Sequence, residues 1–132
     1  MVVRITLLVA FLLTLSACGG KAFYELPSGT LSPYFKTEPG VDGVKPRAKY
    51  TFVLHSNGKY ILIFSRTHGG NRGDVFITKQ GKRGMPTLFC ACENPEHNCE
   101  IDWSAGHLTC KGCKHGETTS PCTLKEGLWA DK

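Results

Sequence analysis

The clearest pattern of apolar and polar positions lies between Tyr50 and Ser65. Two β-rich runs, Tyr50–His55 and Tyr60–Ser65, flank Ser56-Asn57-Gly58-Lys59. Asn-Gly between such runs is a strong hairpin signal, because a tight two-residue loop needs positive φ at both positions. An Asn57-Gly58 loop sets the register: His55 opposite Tyr60, Leu54 opposite Ile61, Val53 opposite Leu62, Phe52 opposite Ile63 and Thr51 opposite Phe64. One face then carries Phe52, Leu54, Ile61 and Ile63. The other carries Val53, Tyr60, Leu62 and Phe64. With both faces apolar, the hairpin should be covered on both sides, by the preceding segment, by the cysteine-rich segment or by a partner protein.

The pattern continues with a Gly-rich loop over residues 66–73, a third strand over 74–79, a turn over 80–84 and a fourth strand over 87–92. In an up-and-down meander the loop and the turn fall at opposite ends of the sheet, which separates Arg66 and Arg72 from Lys82 and Arg83. Phosphate-binding loops run from a strand into a helix, whereas this loop is followed by a strand and reads as a permissive turn. Two short strands, Glu100–Trp103 and His107–Cys110, flank Ser104-Ala105-Gly106. The tail is turn-rich, with Leu124, Leu128 and Trp129 as core plugs. Before the hairpin, Pro27, Pro33, Pro39 and Pro46 with Gly29, Gly40 and Gly43 break both periodicities. Phe23, Tyr24, Tyr34 and Phe35 argue that part of that lead-in packs on the domain. The expected fold is mainly β, a small antiparallel meander or sandwich stapled by disulfides, with an irregular N-terminal lead-in.

The first residues have a different character. Arg4 is followed by the uncharged run Ile5–Leu15, then by Ser16, Ala17 and Cys18. A basic start, a short apolar core and small residues before a cut make a secretory signal peptide. A bilayer-spanning helix needs about 20 apolar residues, more than this run supplies. Leu15-Ser16-Ala17-Cys18 resembles the bacterial lipobox at all four positions. The resemblance covers the signal and Cys18 only. It implies that the Cys18 thiol takes a diacylglyceryl group, that cleavage precedes Cys18, and that the new amino terminus is acylated. Gly19 at the second mature position resembles the outer-membrane sorting pattern of Gram-negative lipoproteins. Several acyl chains hold a protein stably on a membrane. The expected layout is a signal peptide over 1–17, a tether and lead-in over 18–47, and a disulfide-rich β domain over 48–132.

Charge adds a gradient. The chain carries +5, which becomes +4 once Arg4 is removed with the signal. Residues 36–83 hold ten Lys/Arg against Glu38, Asp42 and Asp74. Residues 84–102 hold no Lys or Arg but contain Glu93, Glu96, Glu100 and Asp102. Solvated patches of opposite sign account for this. A basic half would also attract anionic lipid headgroups or cell-wall polymers. The export signal disfavours nucleic acid as a partner.

Seven cysteines are present. With Cys18 assigned to lipid, Cys90, Cys92, Cys99, Cys110, Cys113 and Cys122 remain. An even, clustered set in a small exported domain reads as a disulfide framework. Cys90 and Cys92 on one strand point to one face and should bond to the segment over that face, residues 99–122, rather than to each other. Fifteen pairings are open.

The rival is a metal or redox site. Cys90-Ala-Cys92 and Cys110-Lys-Gly-Cys113 supply four thiolates suited to zinc or an iron–sulfur cluster, with His97 and His107 as further ligand candidates. The spacing is distantly similar to the Rieske pattern. It departs from that pattern because Cys92 and Cys113 stand at both histidine positions and His115 is out of register. Thiols in an oxidising compartment pair with one another, which favours disulfides. No G-x-S-x-G, H-E-x-x-H or Walker pattern is present. Cys113 and His115 are close in sequence, which by itself is not catalytic geometry. The expectation is therefore a lipid-anchored cell-envelope protein, at the outer membrane and facing the periplasm. It would bind an envelope partner or cell-wall polymer, with no chemistry of its own and no cofactor besides the covalent lipid. The alternative is a Zn or Fe–S protein using Cys90, Cys92, Cys110 and Cys113.

Overall fold

The computed structural model describes residues 20–68, 72–94, 96–104, 106–115 and 118–131. The signal, Cys18 and Gly69-Gly70-Asn71 lie outside the described residues, as do the side chains of His68, Cys113 and His115. The described chain is a two-sheet antiparallel β-sandwich, as its sequence pattern predicts.

The hairpin supplies β4 (Tyr50–Leu54) and β5 (Tyr60–Ser65). Its register is the expected one, from Thr51 opposite Phe64 to Leu54 opposite Ile61. The turn is built differently. Gly58 N–H donates to the His55 carbonyl (2.8 Å), so a β-turn spans His55–Gly58. Gly58 takes φ +74°, the left-handed conformation that favours glycine, while Asn57 Oδ1 accepts from Lys59 N–H (2.9 Å).

The large sheet also contains β1 (Lys21–Glu25), β8 (Arg83–Cys92) and β12 (Cys122–Asp131), in the order β1-β12-β8-β5-β4. Its spine is the β8–β12 ladder, unbroken from Ala130 opposite Gly84 to Cys122 opposite Cys92. The expected third strand is instead two fragments, β6 (Arg72–Gly73) on β5 and β7 (Phe76–Ile77) on β8. The cause is Pro86. The β8–β12 ladder runs through it, but the β5–β8 ladder stops at Thr87, one residue short of it. Proline has no N–H to give β5, and the 72–77 segment enters where the two strands part.

This rearrangement corrects the expected meander. The 72–77 segment reverses between Gly73 and Phe76 and never crosses the sheet. Ser65 with Arg72, and Ile77 with Arg83, therefore lie at the same end of it. Arg66, Arg72, Lys82 and Arg83 share an end instead of being split.

The second sheet runs β11 (Thr118–Ser120), β10 (His107–His115), β3 (Val41–Pro46) and β2 (Phe35–Glu38), with β9 (Asn98–Ser104) also paired to β10. The 21–46 segment, expected as irregular, thus contributes strands to both sheets. Its prolines and glycines fall mainly at strand ends and turns.

Between the sheets lie Phe52, Ile61, Ile63 and Leu88 from the large sheet, Val44 and Leu108 from the small one, and Leu31 from the 27–34 turn. Glu126, 6% exposed, holds that turn in place. Its carboxylate accepts the N–H of Leu31 (2.6 Å) and that of Gly29. A buried carboxylate with two backbone donors is a satisfied anchor rather than a stranded charge.

Candidate binding face and the cysteine cluster

Residues directly opposite in an antiparallel pair point to the same side. The registers therefore divide the large sheet into two faces. Ile61, Ile63, Leu88, Glu126 and Leu128 face the core. The outer face carries Phe23 and Trp129 (paired), Phe89 and Tyr60 (paired), Thr87 and Leu62 (paired), and Val53.

Five rings from four strands and one turn meet on this outer face. Phe23 stacks on Tyr60 with centroids 5.0 Å apart and meets Phe89 edge-on at 4.4 Å. Tyr60 and Trp129 are 4.8 Å apart, and His55 lies 5.0 Å from Trp129. Such separations are those of favourable aromatic pairs. The Phe23 ring lies over Gly127, where a Cβ would collide with it. Thr87, at the centre of the face, is fully buried beneath this layer and donates its hydroxyl to the Met85 carbonyl (3.0 Å). The rings themselves remain half-buried, and Val53 beside them is 43% exposed. The second apolar face of the hairpin is thus partly covered, by Phe23 from the lead-in and Trp129 from the tail.

Trp129 is therefore not a core plug, although Leu128 is completely buried and Leu124 packs at the core margin. The missed signal was the period of two across 122–131. Leu124, Glu126, Leu128 and Ala130 alternate with Lys125, Gly127, Trp129 and Asp131. Glu126 in the inward set disguised it.

The cysteines lie at the far end of the spine. Cys90 is bonded to Cys110, with Cα atoms 5.5 Å apart, and Cys99 to Cys122, with Cα atoms 6.5 Å apart. Cys92 is also disulfide-bonded. The first bridge ties the large sheet to the small one through β8 and β10. The second ties β9 to β12. Among the described residues, the sulfurs close enough to share an ion are Cys92, Cys99 and Cys122, all within 4.8 Å of one another. This is a different set from Cys90, Cys92, Cys110 and Cys113, because Cys90 and Cys110 engage each other. Bridged sulfurs offer no thiolate until they are reduced.

The two histidines considered as ligands are engaged elsewhere. His97 Nδ1 lies 2.7 Å from Ser120 Oγ, and His107 Nε2 lies 3.4 Å from Glu38 Oε2. Glu38 also pairs with Lys45. Its pKa is lowered, first by the hydrogen bond from Lys45 and with a further contribution from His107.

No family model, curated protein or solved structure matches this chain.

Proposed function

We propose that this chain is a lipid-anchored cell-envelope protein, held to the membrane through Cys18, whose β-sandwich binds an envelope macromolecule with its aromatic outer face. The partner is a protein or a cell-wall polymer. The observation that carries the binding role is the partly exposed layer of Phe23, His55, Tyr60, Phe89 and Trp129. Large aromatic side chains are enriched at binding hot spots because they bury much area at little entropic cost. The anchor rests on the match of Leu15-Ser16-Ala17-Cys18 to the lipobox.

The test is cross-linking in intact envelopes followed by recovery of the lipidated protein. Wild type should bring down a defined protein or glycan. Trp129→Ala and Tyr60→Ala should lose it, with Val41→Ser, on the small sheet, as the unaffected control. Thermal unfolding of each variant separates a lost contact from a lost fold, and Trp129→Phe should retain part of the capture. Recovery of nothing by a folded wild-type protein would overturn the binding role.

A second reading draws on the crowding of the Cys92, Cys99 and Cys122 sulfurs. On reduction they would present three thiols suited to a soft ion such as Zn²⁺ or Cu(I). Tight binding of one equivalent of Zn²⁺ to the reduced, folded protein, abolished by Cys99→Ser, would favour it. Resistance of all three sulfurs to reduction while the domain stays folded would remove it.

A further inference from the structure

The spine has two ends, and the chain enters at one of them. Lys21 opposite Asp131, Ala130 opposite Gly84, and Ile77 opposite Arg83 put the start of β1, the end of β12, the start of β8 and the end of β7 together. Tyr50 opposite Ser65 and Ser65 opposite Arg72 bring the start of β4 and the end of β5 to the same end.

The surface at this end is unusual in two respects. Val75 and Ile77 are 63% and 62% exposed, the highest values among the exposed large apolar residues described. Around them stand the exposed cations Lys21, Lys49, Arg66, Arg72, Lys79 and Arg83. Among the described acids, Asp131 and Asp74 stand here, with Asp74 turned toward the Tyr50 hydroxyl. Glu25, which lines the cleft beside Ile77 and Lys79, is paired with Lys125. The opposite end of the spine leads from Cys92 into Glu93 and Glu96.

Cys18 precedes Lys21 by three residues. Three extended residues span at most about 11 Å, so no long tether separates Lys21 from an acyl group on Cys18. A bilayer holding that group must lie against this end of the sandwich.

We infer that the end formed by Val75, Ile77 and the surrounding cations is a membrane-docking surface that seats on the anionic leaflet carrying the anchor. The inference rests on the lipid-anchor reading of Cys18 and adds to it an orientation and a lipid preference. Val75 and Ile77 enter the headgroup boundary, and the cations meet lipid phosphates, as apolar residues ringed by Lys and Arg do on membrane-surface elements. The outer aromatic face then stands upright beside the membrane, and the disulfide-bonded end projects into the periplasm.

The test uses the full chain, processed and lipidated in a Gram-negative host and reconstituted into vesicles. One set is phosphatidylethanolamine with phosphatidylglycerol, and the other is uncharged phosphatidylcholine. Hydrogen exchange is read over residues 72–84, with residues 96–104 as internal control. Exchange over 72–84 should slow in the anionic vesicles relative to the uncharged ones and recover at high salt, with 96–104 unchanged. A cation near an anionic surface is worth about 1 kcal/mol, roughly fivefold in occupancy. Lys79→Glu with Arg83→Glu should therefore reduce the ratio of docked to undocked protein by about 25-fold or more. Val75→Ser with Ile77→Ser should weaken docking without removing its salt dependence. Equal exchange over 72–84 in both lipids overturns the docking surface. The intact mass of the same sample reads the anchor independently. A mass without acyl groups overturns the anchor and the docking with it, whereas an acylated protein with no slowing overturns the docking alone.

Discussion

The two ends of the β8–β12 ladder are held by different means. From residue 84 to residue 92 the ladder runs on the order of 27 Å. At the far end, Cys90–Cys110 and Cys99–Cys122 tie strands of both sheets together covalently. At the near end no cysteine stands among the described residues. There the sheet is split by β6 and β7, and apolar and basic side chains point to solvent. The contrast assigns stability to one end and surface chemistry to the other. A small domain with a limited core needs staples, and placing them away from the exposed end leaves that end free to meet a surface.

The largest effects are expected at the stapled end. Replacing Cys90 with Cys110, or Cys99 with Cys122, by alanine should cost about 2–4 kcal/mol per bridge. Losing both should cost roughly 4–8 kcal/mol, much of a typical domain's stability of about 5–15 kcal/mol. Urea denaturation of the two double variants and the quadruple variant measures this.

The middle of the ladder comes next. Glu126→Ala leaves the buried N–H of Leu31 without its acceptor, at about 1–3 kcal/mol, while the N–H of Gly29, at an exposed position, turns to water. Glu126→Gln keeps one amide oxygen and should lose about half as much. On the outer face, Phe23→Ala removes the contacts with Tyr60 and Phe89, each worth about 0.5–1.5 kcal/mol. The same denaturation curves report both effects.

Smaller still is the acid response of the second sheet. The Glu38 pKa is depressed in the folded protein by Lys45 and His107. Its contribution is present above the unfolded carboxylate pKa and is lost as pH falls through the lower folded value. Melting temperatures below the ordinary carboxylate range should therefore fall less steeply with pH in Glu38→Gln than in wild type. The smallest effect belongs to the exposed end, where Val75→Ser with Ile77→Ser should change stability by no more than about 0.5 kcal/mol. A large loss there would mean that these side chains support the fold, and the contrast between the ends would fail.

The hairpin and most of β8 were legible in sequence because two β-rich runs flank Asn57-Gly58, which sets the register. By contrast, β12 was hidden in a tail that reads as turn-rich because Glu126 falls in its inward set. The β1, β2 and β3 strands were not legible. They are short, punctuated by Pro39, Gly40 and Gly43, and stabilised by partners far away in sequence, Lys21–Glu25 by β12 and Val44 by Leu108. The split third strand depends on Pro86 stopping a ladder whose other member is Ile63, a long-range effect that no local window contains. The candidate face was half legible. Tyr60 and Leu62 were visible as a second apolar surface, while Phe23 and Trp129 reach it only through the β1–β12 pairing. The clustering of the cysteines was evident from their positions, but the pairing of Cys90 with Cys110 follows from β10 lying across β8, which spacing alone does not determine.

The most direct test of the account is the intact mass of the full chain after production in a Gram-negative host and extraction from its membranes, with and without thiol alkylation. The polypeptide should begin at Cys18 and be heavier by a diacylglyceryl group and an acyl chain, with no thiol that reacts natively. A polypeptide retaining Met1–Ala17, or one beginning at Cys18 without acyl groups, would contradict the anchor from which the orientation and the periplasmic role are drawn.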